Sequence, residues 1–152
     1  MIVIDRRWIG HELPPYEVAL ERGRLRAFAA AIGETDPVYT DVGAARAAGF
    51  RDLPAPPTFL FGAGLEAGSL MQVLGEMGVP LSKLLHAAQG FTYHRAVCAG
   101  DVVAVRSWIS DIYDRKAGAL QFVVESTEVR DSSGQLAAEL RATLVCRNQP
   151  PA

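Results

Sequence analysis

The chain has 152 residues, 49% of them hydrophobic and 21% charged, with a formal net charge of −2; this suits one globular domain with a real core and leaves too little chain for a second. No run of Lys or Arg builds the basic face that phosphate binding needs, which excludes nucleic acid as a main partner. Cys98 and Cys146 form neither a metal spacing nor a disulfide framework, as expected of a reducing, cytoplasmic compartment, and no metal or cofactor is implied.

The first residues, Met1-Ile2-Val3-Ile4 before Asp5-Arg6-Arg7, are too short an apolar run for a secretory signal. Tyr16-Glu17-Val18-Ala19-Leu20 reads as a short strand, and Leu25, Phe28, Ala29 and Ile32 then fall at helical spacing up to a stop near Gly33. Asp36-Pro37 forces an extended or turn conformation, because the residue before a proline is sterically pushed out of the helical region. Thr40 or Asp41 can cap a second, Ala-rich helix that stops at Gly49. After Pro56-Pro57-Thr58, residues 59–74 carry apolar and small side chains on every face, the pattern of a helix surrounded by protein. Glu66, Gln72 and three glycines in that segment argue against a membrane span. Gly62, Gly64 and Gly68 each cost up to ~1 kcal/mol in a helix interior, and close approach to a sheet backbone is the expected offset.

Everything after Gly78-Val79-Pro80 reads as strand. Residues 91–97, 102–113 and 120–129 are strand runs, with turns at Ala99-Gly100-Asp101, Lys116-Ala117-Gly118 and Asp131-Ser132-Ser133-Gly134. In the last run Leu136, Ala138, Leu140, Ala142, Leu144 and Cys146 keep a period of two against Glu139, Arg141, Thr143 and Arg147, so one face meets the core. The periodicity implies an α+β domain over residues 1–148, with a Pro-rich tail at 149–152 that is expected to fray.

Three blocks carry a resemblance: residues 31–49 with Ile32-Gly33-Glu34-Thr35-Asp36-Pro37-Val38-Tyr39, then Ala55-Pro56-Pro57-Thr58-Phe59, then His86 to Arg95 with Ala99-Gly100-Asp101 after it. In order and at compatible spacing they resemble the MaoC-like hydratases and dehydratases, most closely the N-terminal-type hydroxyacyl-thioester dehydratase domains. The resemblance implies the hotdog fold, a long central helix wrapped by a twisted antiparallel sheet. It also implies an acyl-CoA or acyl-carrier-protein thioester as ligand. The family segment reads approximately Gly-Asp-x-Asn-Pro-x-His, with the Asp and His holding the water that is added or removed. Here Glu34 stands at the Asp position, Asp36 at the Asn position and Tyr39 at the His position, so Glu34 and Tyr39 are the candidate catalytic residues. A phenol with pKa near ~10 is a poor neutral-pH base, although it can donate a hydrogen bond. At the place of the family's oxyanion glycine stands Pro57, which has no N–H to give and leaves that of Thr58.

On the same resemblance the 34–39 connection, the helix start and the entry of the following strand should line one pocket. Asp36, Pro57, Thr58, Phe59, Gly64, His86, Gln89, His94 and Arg95 would be its substrate-binding residues, with Arg95 toward the phosphates of the carrier. Other roles compete on physical grounds. Glu34 and Asp36 flank a helix end and a proline turn where carboxylates serve as caps. Tyr39 can be a packing residue, and His94 a satisfied strand histidine. The functional reading is an acyl-thioester-binding subunit, either a homodimer or the partner of a catalytic MaoC-like subunit. The alternatives are an autonomous hydratase using Glu34 and Tyr39, and a hotdog thioesterase using Glu66.

Overall fold

The computed structural model describes residues 2–148, so the tail at 149–152 lies outside the described residues. Alternation in the C-terminal half does what a half-buried sheet requires. Strands β3 (Val102–Arg115), β4 (Leu120–Arg130) and β5 (Leu136–Arg147) form an antiparallel meander. Its hairpins close where the turn residues stand: Lys116, Ala117 and Gly118 all take positive φ, and Asp131 Oδ1 accepts from the N–H groups of Ser133 and Gln135. The flanks are β1 (Tyr16–Ala19) on β3 and β2 (Leu84–Tyr93) on β5, giving one five-stranded sheet of order β1-β3-β4-β5-β2.

Strand β2 begins at Leu84, well before the Phe91 start that alternation suggests, and ends at Tyr93 instead of running on to Val97. Its first half, Leu84-Leu85-His86-Ala87-Ala88, has no period of two, because a register shift between His86 and Ala88 interrupts the pleat. His86 therefore lies in the strand and not before it.

Four helices cover one face: α1 (Arg22–Ala31), α2 (Val42–Ala47), α3 (Phe59–Ala67) and α4 (Ser69–Glu76). The apolar segment 59–74 is thus two helices and not one. Gly68 adopts φ 74, its N–H closes α3 on the Gly64 carbonyl, and its own carbonyl accepts from Gln72 to restart the ladder. The break lets the two pieces follow a twisted sheet. Phe59, Leu60 and Ala63 pack with Val103, Val105, Val129 and Leu140, whereas Val73 and Leu74 pack with Ile109, Ile112, Val123 and Leu144. The glycines are not offset by sheet backbone as expected. A Cβ on Gly62 would meet Phe28 at 3.5 Å and one on Gly64 the Tyr16 hydroxyl at 3.0 Å, while Gly68 is needed for its left-handed backbone alone.

Two glycine substitutions should therefore move stability in opposite directions. Gly68→Ala puts a Cβ in the left-handed region and should cost about 1–2 kcal/mol. Gly75→Ala, inside α4 with nothing within 4 Å of the new Cβ, should gain about 0.5–1 kcal/mol. Urea melts of both variants check the sign, and a stable Gly68→Ala would contradict the break as the reason for that glycine.

Candidate functional site

The 34–39 connection is held by its own carboxylates. Gly33, at φ 72, ends α1, and Glu34 Oε1 then accepts from the backbone N–H groups of Thr35 at 2.8 Å and Asp36 at 2.9 Å. Asp36 Oδ1 accepts from the Val38 N–H at 3.0 Å and caps the single 3-10 turn Pro37–Tyr39. Asp41 caps α2 in the same way through the Ala44 N–H. These short-range bonds form because Asp and Glu beside a proline turn find unpaired amides within reach.

The connection meets the start of α3 and the end of β2. Burial raises the Tyr39 phenol above its ordinary pKa, with the Glu34 and Asp36 carboxylates adding to the shift. Tyr93 is pushed up to about 12, chiefly by burial and further by Tyr39. Its hydroxyl donates to the Pro57 carbonyl, so the one polar group Pro57 can offer is already engaged. Phe59 is a core residue, 4% exposed, whose N–H bonds the Pro56 carbonyl. Among the described residues the Thr58 N–H has no acceptor, which leaves it as a donor for a carbonyl oxygen. Tyr93 was not singled out by sequence; the available signal was its place in the family-like block two residues after Phe91.

The inner face of β2 carries Tyr93, Phe91, Gln89 and His86 along the helix. The His86 ring stacks on Phe61 with centroids 4.9 Å apart. Gln89 and Gly64 line a cleft of about 40 Å³ between α3 and the sheet, together with Tyr16, Leu60, Phe61, Leu65, Leu140 and Ala142. His94 and Arg95 stand apart from it, beyond the strand end. His94 Nε2 pairs with Glu139 at 2.8 Å and Arg95 with Asp131 of the β4–β5 hairpin at 3.0 Å. Glu66 lies on the outer side of α3, its side chain 72% exposed and paired with Arg24.

Sequence reasoning missed the polar groups behind this cleft, Tyr16 and Glu125. Glu125 occupies the inner register of β4 between Val123 and Thr127, and that interruption of an apolar face was the legible signal. Burial pushes its carboxyl up from the ordinary 4.5 to about 6, against the opposing pull of the Ser107 hydroxyl. Burial and then the Glu125 charge push Tyr16 up to about 12. Across the small Ala142, Gln89 Oε1 is buried and has no hydrogen-bond partner among the described residues.

Glu125 has a consequence for stability. Because its folded pKa of about 6 lies above the ordinary 4.5, the folded chain keeps a proton that the unfolded chain has lost, so stability falls as pH rises between those values. Glu125→Gln should therefore be more stable than the parent above pH 6 by on the order of 1 kcal/mol and gain nothing below pH 4.5. Denaturant melts across this range check it; a gain that is the same at every pH would contradict the assignment.

Among the described residues no helix is long and apolar enough to cross a membrane. Comparison with known proteins agrees with the fold and the family. The family model described as FAS1-like, dehydratase domain region, matches residues 7–140. A UPF0336 protein of Parafrankia sp. is 40% identical over 146 residues, covering 90% of this chain and 88% of that one. The C-terminally truncated HadBC (3R-hydroxyacyl-ACP dehydratase) complex of Mycobacterium tuberculosis superposes with TM-score 0.74 at 25% identity, over 88% of this chain and 94% of that one. A MaoC-like dehydratase superposes with TM-score 0.81 at 23% identity, over 92% of this chain and 42% of the other.

Proposed function

The chain belongs to the family of FAS1-like dehydratase domain regions, with the MaoC-like hotdog fold, and from that membership we propose that it binds an acyl thioester as the substrate-holding partner of a catalytic hotdog subunit. The observation that carries this reading is the state of the altered motif. Glu34 Oε1 accepts two backbone N–H groups, and Tyr39, at the position of the family's imidazole, has its pKa raised. The Glu34 oxygen that bonds these amides is taken up in holding the turn, and a phenol held protonated is no base, so the motif offers water no free acceptor pair like the family's Asp and His. What remains supports binding: the Thr58 N–H for a thioester oxygen and the cleft beside Gly64 for the start of an acyl chain.

The partner is argued from the sheet. Edge strand β1 has only four residues, but edge strand β2 has ten, most of them exposed, its own Leu85 50% exposed among them. A long unpaired edge is completed by another chain in a closed assembly. The similar HadBC structure is itself a complex of such chains, which favours a second hotdog subunit; a homodimer uses the same edge. The autonomous reading rests on the meeting of Glu34, Tyr39 and Tyr93 at the helix start. The thioesterase reading has the least support, since Glu66 faces outward to Arg24.

Light scattering should give a dimer at micromolar concentration, and a stable monomer would contradict the edge argument. The purified chain should hydrate crotonyl-CoA at least ~100-fold more slowly than when mixed with a hotdog subunit that carries the Asp and His, the loss expected for a missing general base. Fast turnover by the chain alone, abolished in Glu34→Gln, would establish the autonomous enzyme instead. Gly64→Leu pushes a side chain toward the Tyr16 hydroxyl and into the cleft and should weaken acyl-CoA binding by about tenfold or more; unchanged affinity in calorimetry would place the acyl chain elsewhere.

A further inference from the structure

Between the two apolar cores runs a polar seam. The inner face of the sheet is apolar at Val129, Leu140 and Phe91 toward the start of α3, and apolar again at Ile109, Val123 and Leu144 under α4. The polar residues occupy two adjacent cross-strand registers: Ser107 and Thr127, whose hydroxyls lie 2.7 Å apart, stand in line with Leu140 and Phe91, and Glu125, Ala142 and Gln89 stand in line with Ile109. The seam lies under the C-terminal half of α3 and the Gly68 break, where Gly64 has no side chain to cover it and the cleft opens.

A polar row in that place needs an account. Gln89 Oε1 is an orphaned buried acceptor, which costs about 1–3 kcal/mol if nothing donates to it. The cleft is larger than the ~10–15 Å³ that one water requires. Leu60, Phe61, Leu65 and Leu140 wall it, a lining that suits an alkyl chain more than a lone water. We infer that this seam receives a hydroxyl group carried on the acyl chain, which donates its one O–H to Gln89 Oε1 and accepts from the Tyr16 phenol and the carboxyl O–H of Glu125. The inference rests on the acyl-thioester reading above and specifies the substrate class. Gly64 stands six positions after Thr58 in sequence, which along a helix is on the order of 9 Å. The hydroxyl recognised here is therefore several carbons from the thioester and is not the one that dehydration removes. The raised pKa of Glu125 fits a carboxyl group buried against such a neutral ligand.

The test is calorimetric titration of the full chain with matched pairs of hexanoyl-, octanoyl- and decanoyl-CoA and their ω-hydroxy counterparts. One pair, set by chain length, should favour the hydroxylated member by about tenfold, the discrimination one satisfied buried acceptor supplies. Gln89→Leu and Glu125→Leu should each bring the ratio of affinities within that pair to about one, a loss of selectivity that a general weakening of binding does not produce. If Glu125→Leu does not fold, Gln89→Leu carries the comparison. Equal affinity within every pair, or a preference that survives Gln89→Leu, overturns the inference and leaves acyl binding intact. Failure of every acyl-CoA to bind overturns both.

Discussion

The fold depends on one contact, the laying of a small, glycine-interrupted apolar helix against the inner face of a twisted sheet. A straight helix crossing such a sheet can stay in contact with only part of it, because the strands rotate beneath it. The left-handed residue at Gly68 solves this by ending α3 and starting α4 in a new direction, so that each piece finds its own apolar row. Gly62 and Gly64 serve the same contact differently. They let Phe28 and the Tyr16 hydroxyl come close to the helix backbone, which brings α1 and β1 into the packing.

The same contact sets what the site can be. Because α3 begins where the connection from α2 reaches the end of β2, the altered motif, the helix N-terminus and Tyr93 are brought together. Because α3 ends at Gly68, a gap remains over the middle of the sheet, and the residues beneath that gap are the polar ones. The molecule therefore has a donor-bearing mouth at one end of α3 and a polar floor at the other, with apolar walls between them.

The altered motif is a case of one residue type being asked for two roles. A carboxylate beside a proline turn is drawn to the free amides around it, and Glu34, one methylene longer than Asp, reaches the N–H groups of both Thr35 and Asp36. That bonding holds the connection in place and occupies the carboxylate oxygen that faces the turn. Under the function proposed above, rigidity is what this connection contributes.

By itself the sequence determined the elements whose cause is local. The β3, β4 and β5 runs and their hairpins follow from a period of two and from Gly, Asp and Ser at the turns. The ends of α1 and α2 follow from Gly33, Asp41 and Gly49, and the family follows from three ordered blocks. What only the tertiary structure decided has non-local causes. The start of β2 at Leu84 depends on pairing with Cys146 across a bulge, which no pattern within the strand reveals. The break at Gly68 depends on sheet twist, and three glycines in one apolar run do not say which of them bends. The separation of His94 and Arg95 from the cleft comes from carboxylates far along the chain, Glu139 and Asp131, that claim them. Likewise, Glu125 is an ordinary alternating residue in sequence and becomes a half-buried carboxyl group on the inner face because α3 lies over it, with Tyr16 and Gln89 brought in from opposite edges of the sheet.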